Sequence, residues 1–192
     1  MQSFGKLIWL IMKIRKKQPT EKNLNLIGSA CLFVNGIIFL FYALLVPTYV
    51  RSVHGLITLA AVLFAVAILP LYYALRRVHK LGSKVAASLF GIAIIIFIVF
   101  DLLLTLSSVT PLDHAIAYVA GNLLFIIGIL VAGVIMLKGV FYKWVGYLSI
   151  VTGILGLVTN LSQAPGLLST FSLLLLGVWS LAVGFNIKKL AK

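Results

Sequence analysis

One carboxylate lies deep inside an otherwise apolar run, Ile98-Val99-Phe100-Asp101-Leu102. In hydrocarbon such a group costs about 2.5–3.5 kcal/mol on insertion scales. Asp101 must therefore face a protein interior, be paired, or be neutral. Asn35 and Asn122 also interrupt apolar runs, and a primary amide can both donate and accept a hydrogen bond. These three residues are the intramembrane polar candidates for holding a ligand. A second group, Arg51, His54, Asp113 and His114, lies at the ends of apolar runs. Two His and two Asp would suffice chemically for a metal. No His-x-x-x-His spacing supports one, and the residues come from different runs, so no metal is assigned. The plain alternative is solvation at headgroup level, or an Arg51–Asp113 pair.

Other chemistries lack their residues. There is no Gly-x-Ser-x-Gly, His-Glu-x-x-His, Walker loop or Gly-x-Gly-x-x-Gly. No lysine sits mid-run to carry a Schiff base, and no histidine pair would sandwich a haem. Asp101 has no acidic companion at its depth, which excludes a carboxylate dyad. No cofactor is implied. The lone Cys31 permits no disulfide within the chain.

The elements that position these residues follow from hydropathy. Of 192 residues, 62% are hydrophobic and 10% charged, against about 25% charged in soluble domains. Apolar runs cover 24–46, 53–75, 85–109, 114–137, 141–161 and 167–187, each near the ~20 residues needed to cross a bilayer. These predict an all-α, six-span membrane bundle forming a single domain over 1–192. Every Lys and Arg except Arg51 lies before the first run, after the last, or in and beside the second and fourth connections. Cytoplasmic loops collect such residues, so both termini are expected inside. The net charge of +13 then reads as attraction to anionic headgroups. No nucleic-acid partner is expected, because no solvated surface interleaves aromatics with the basic residues.

Residues 2–17 place Phe4, Leu7, Ile8 and Ile11 at helical spacing, with Lys6, Lys13 and Lys17 on another face. This predicts a basic amphipathic helix on the membrane surface rather than a cleavable signal; a tail held loosely by charge is the alternative. Asp113 is expected to cap the fourth span after a Thr110-Pro111-Leu112 turn. Pro70 is expected to kink or end the second. Trp179 faces lipid or packs.

A helical hairpin between the third and fourth spans sets Asp101 level with Asn122, roughly 12 Å from the outer helix ends. An Asp101–Asn122 hydrogen bond is expected there. Gly121/Gly128, Gly146/Gly153 and Gly177/Gly184 are each two helical turns apart. Together with Thr152/Gly156 they predict close packing among spans four to six.

Within 121–158, Gly-Asn-Leu-Leu-Phe, then Met-Leu-Lys-Gly-Val-Phe-Tyr-Lys-Trp-Val-Gly-Tyr-Leu, then Gly-Ile-Leu-Gly-Leu, resembles a family of bacterial and archaeal six-helix membrane proteins of unknown function. Tyr142-Lys143 stands where that family often has proline. The resemblance implies a fold and transfers no functional residue.

Three functions fit these readings. The first is a non-catalytic, multi-pass protein of a prokaryotic cell membrane, touching lipid and serving as an accessory subunit or homo-oligomer through its glycine-rich faces. The second is a small transporter or ligand-binding protein using the polar site around Asp101. The third is an enzyme acting on a lipid or quinone at the outer face.

Overall fold

Runs of Leu, Ile, Val, Phe and Ala with no water to bond must satisfy their backbone internally, and the α-helix does so within one segment. The computed structural model describes residues 21–45, 54–106, 110–139, 141–162 and 167–190. They form six helices: α1 (Glu21–Leu45), α2 (His54–Arg76), α3 (Lys80–Thr105), α4 (Pro111–Leu137), α5 (Lys143–Ser162) and α6 (Leu167–Leu190). All six are long and apolar enough to cross a membrane. The surface helix expected over 2–17, and Arg51, lie outside the described residues.

The helices close a ring in chain order, with α6 packed along α1. Lys and Arg gather at one end of this ring, called here the basic end; the other is the low-charge end. Contact is closest between α1 and α6 and sparsest, among neighbours, between α5 and α6. Alpha-helices in lipid approach through small residues, and α1–α6 shows how. A Cβ on Gly36 would lie 2.8 Å from the Gly177 carbonyl oxygen, and one on Gly177 would lie 3.0 Å from that of Gly36. Two turns away, the Ser29 hydroxyl donates to the Gly184 carbonyl at 2.8 Å.

The glycine pairs of the second half therefore divide their duties. Gly146 and Gly153 face Leu137 and Leu130 of α4, as close packing within spans four to six requires. Gly121 and Gly128 instead face Phe97 and Phe90 of α3, and Gly177 and Gly184 face α1. Ring closure, which a linear reading of spans cannot see, recruits Gly177 and Gly184.

Three local expectations need correcting. Pro70 does not end α2, which runs on to Arg76. Its ring nests against Gly28 of α1, where any Cβ would collide with it. Asp113 is not the N-cap of α4. Thr110 is, with Pro111 opening the helix and Asp113 completing a capping box. The Asp113 amide donates to Thr110 Oγ1 at 3.2 Å, and the Thr110 amide to Asp113 Oδ2 at 3.3 Å. Finally, α3 starts at Lys80, a turn before its apolar run, because His79 Nδ1 accepts the Gly82 amide at 2.9 Å. That bond satisfies a donor otherwise orphaned at the helix start.

The basic half is filled. Phe64, Phe90 and Phe125 meet pairwise edge-to-face, with centroids 5.0–5.2 Å apart. Trp179 stacks on Phe64 at 6.0 Å. Trp179 is thus a packing residue, 0% exposed, and its indole N–H donates to Ser149 Oγ at 2.7 Å. Ala67, Ala86, Ala93 and Ala132 belong to the same core. At the basic end Glu21 pairs with Arg77 across α1 and α2. Lys189 lies over the Tyr142 ring, 4.4 Å from its centroid.

Candidate functional site

The low-charge half of the ring encloses a cavity of about 580 Å3 to which all six helices contribute. Asn35 of α1 and Asn122 of α4, two of the residues singled out by sequence, both line it. With ~1.5 Å rise per residue, Asn35, Phe64, Thr152 and Leu176 lie about 15 Å below the low-charge ends of their helices; Asn122 lies nearer that end, beside Asn160, because Gly153 packs on Leu130 and Asn160 Nδ2 donates to the Val119 carbonyl. Phe64 and Phe125 belong both to this lining and to the aromatic cluster, so the filled half serves as the floor of the hollow one.

The register of α5 against α6 explains where filling stops. The Tyr142 amide donates to Asn186 Oδ1 at 3.2 Å, and Trp179 donates to Ser149 one step further along. The same antiparallel register sets Gly156 opposite Ser172 and Thr159 opposite Ser169, and all four of these line the cavity. Large side chains join the two helices near the basic end. Small ones leave space between them toward the other.

Polar groups in the two halves are treated differently. In the filled half Asn186 is fully engaged: its Oδ1 accepts from Tyr142 and its Nδ2 donates to the Ala182 carbonyl at 2.9 Å. Ser149 Oγ accepts from Trp179 and donates to the Val145 carbonyl at 2.8 Å. In the cavity lining, Asn35 is 0% exposed and neither Nδ2 nor Oδ1 has a hydrogen-bond partner in the protein. Thr152 Oγ1, equally buried, also lacks one, as does Ser180 Oγ outside the lining. A buried donor or acceptor left unpaired costs about 1–3 kcal/mol, so three such atoms at one cavity floor are a concentrated expense.

Asp101 sits in a neighbouring polar cluster and is not among the lining residues. The bond found for it comes from the Thr58 hydroxyl of α2, while Asn122 bonds to Tyr118, whose ring lies within electrostatic reach of Asp101 and Tyr42. The depth match of Asp101 with Asn122 thus brings both into one region, with Thr58 and Tyr118 as the hydrogen-bonding partners. Tyr42 and Tyr118 line the cavity as well. Among the described residues that line the cavity there is no Lys, Arg, His, Asp or Glu.

Of the other candidates, Arg51 lies outside the described residues and Asp113 alone has a described side chain. Asp113 is engaged with Thr110 at the α4 cap. His54 opens α2 and His114 lies in the first turn of α4; their side chains are outside the described set. Among the described residues no three His, Cys, Asp or Glu side chains come together as a metal site would need.

Sequence reasoning took Thr152 for a packing residue paired with Gly156, and it passed over Thr58. A hydroxyl in a glycine-rich span carries no mark that separates packing from lining. Comparison with protein-family models, with curated proteins and with solved structures finds no match to this chain.

Proposed function

We propose that this is a non-catalytic multi-pass protein that binds a small molecule within the bilayer, in the cavity between its six helices. The observation that carries the reading is the floor of that cavity, where a fully buried Asn35 leaves its whole amide unpaired. Sites for small molecules are concave, mostly apolar, and carry a few convergent polar groups, and this lining has that character. The reading is preferred to that of an accessory subunit because Gly121, Gly128, Gly146, Gly153, Gly177 and Gly184 all face helices of their own chain. It is preferred to that of an outer-face enzyme because Asp113 is occupied in capping.

The basic end faces the cytoplasm in this proposal, supported by the sorting of Lys and Arg to one end. The cavity then lies in the exterior half of a prokaryotic cell membrane. Exposed Tyr142, Trp144 and Tyr147 at the basic end suit the interfacial belt expected there.

Native mass spectrometry of the protein released from mild detergent tests the reading. The wild type should carry a small-molecule adduct, and Ala61→Phe, which fills the lining, should lose it. An adduct equally present in the filled variant, or none in a folded wild type, would reject the proposal.

A further inference from the structure

Resting on that reading, we infer that the ligand is a neutral amphiphile whose hydroxyl or carbonyl head is held at the cavity floor by the Asn35 amide and the Thr152 hydroxyl. Asn35 supplies both donors and an acceptor, and Thr152 a hydroxyl able to play either part. All of these atoms are buried and unpartnered within the protein. A head that both gives and takes hydrogen bonds matches them. Its counterparts in the filled half, Asn186 and Ser149, already have partners and need none.

Charge sets the second constraint. Among the described residues no cationic or carboxylate side chain lines the cavity, so an ionic head at its floor would be taken from water without compensation. The third constraint is the wall. Phe39, Phe97, Val119, Ile126 and Leu173 rise from the floor toward the low-charge end, a surface that suits a hydrocarbon body. The head therefore lies deep, near Asn35 and Thr152, and the body extends toward the low-charge end along the apolar wall.

Trp179 gives an internal reporter. It stacks on Phe64, whose ring belongs to the lining. In a Trp9→Phe/Trp144→Phe background its emission is the only tryptophan signal. The full-length protein in detergent is titrated with 1-oleoylglycerol and with farnesol as neutral heads from glyceride and isoprenoid sources. Oleate at alkaline pH serves as a charged head, and hexadecane as a body without a head.

One or both neutral amphiphiles should change the emission saturably, and which one does so identifies the source. Asn35→Leu and Thr152→Val should each weaken that binding about three- to tenfold, the effect of one hydrogen bond. Ala61→Phe should abolish it. Hexadecane or oleate binding as tightly as the neutral heads would overturn the inference. So would unchanged binding in folded Asn35→Leu and Thr152→Val; with Ala61→Phe still blocking, the cavity reading would survive without its head-group site. No saturable response to any probe, with none altered by Ala61→Phe, would overturn inference and reading together. Each variant's thermal midpoint reports whether it folds.

Discussion

Asn35 and Asn186 are both buried asparagines in spanning helices, and they lead opposite lives. Asn186, near the basic end, ties α6 to the start of α5 through Oδ1 and donates from Nδ2 within its own helix. Asn35, at mid-depth, is just as enclosed and bonds to nothing in the protein. The contrast extends to the halves around them. One half is a stack of aromatic rings and alanines locked by Trp179–Ser149. The other is a cavity walled by similar residue types but with small side chains where the helices would otherwise meet. The first half is packed through its core, and the second surrounds open space. Unpaired polar atoms persist in proteins when they serve a purpose other than stability.

The sharpest way to break this comparison is to make the same substitution in both halves. Gly36→Leu drives a side chain into the α6 backbone and should lower stability by about 1–3 kcal/mol or prevent assembly, read as a thermal midpoint in detergent. Gly156→Leu meets only the flexible Ile126 side chain and opens on the cavity, so its loss should be clearly smaller. Equal losses would erase the distinction. The asparagines come next. Asn186→Leu strands the Tyr142 amide and should cost about 1–2 kcal/mol. Asn35→Leu, in protein stripped of small molecules, should leave the midpoint unchanged or higher. Trp179→Phe keeps the ring stack but removes the bond to Ser149, and should cost about 0.5–1 kcal/mol. The smallest effect belongs to the basic rim. His79→Ala removes the acceptor for the Gly82 amide and should cost about 0.5 kcal/mol or a little more, seen as faster hydrogen exchange in the first turn of α3 with the cavity undisturbed.

The six helices were legible because apolar length and short polar connections leave little else possible in such a chain. Their ends were less so. Hydropathy placed the start of the third span at 85, since Lys80 and Lys84 look like loop, and the histidine cap that extends the helix has no hydropathic signature. Thr110 and Asp113 are spaced as a capping box, a pattern available in the sequence, and assigning the cap to Asp113 alone missed it. Asn35 and Asn122 stood out because amides are rare in apolar runs, and the ring brings both to one cavity. Thr58 could not be chosen as the partner of Asp101, because that bond depends on how α2 is rotated against α3. The cavity itself was invisible. It arises from a register between α5 and α6 that puts small residues opposite small residues over the turns nearest the low-charge end, and such a register belongs to a pair of helices, not to either one.

The hollow half can be probed directly with two serines on one helix. Ser172 lines the cavity, and Ser180, two turns deeper, is 0% exposed and outside the lining. In a Cys31→Ala background, Ser172→Cys and Ser180→Cys are exposed to N-ethylmaleimide and their rates compared. The cavity at Ser172 predicts labelling at least tenfold faster than at Ser180, slowed when 1-oleoylglycerol is present. Equal, slow rates at both positions would mean that the two halves are filled alike, and the binding site would be gone.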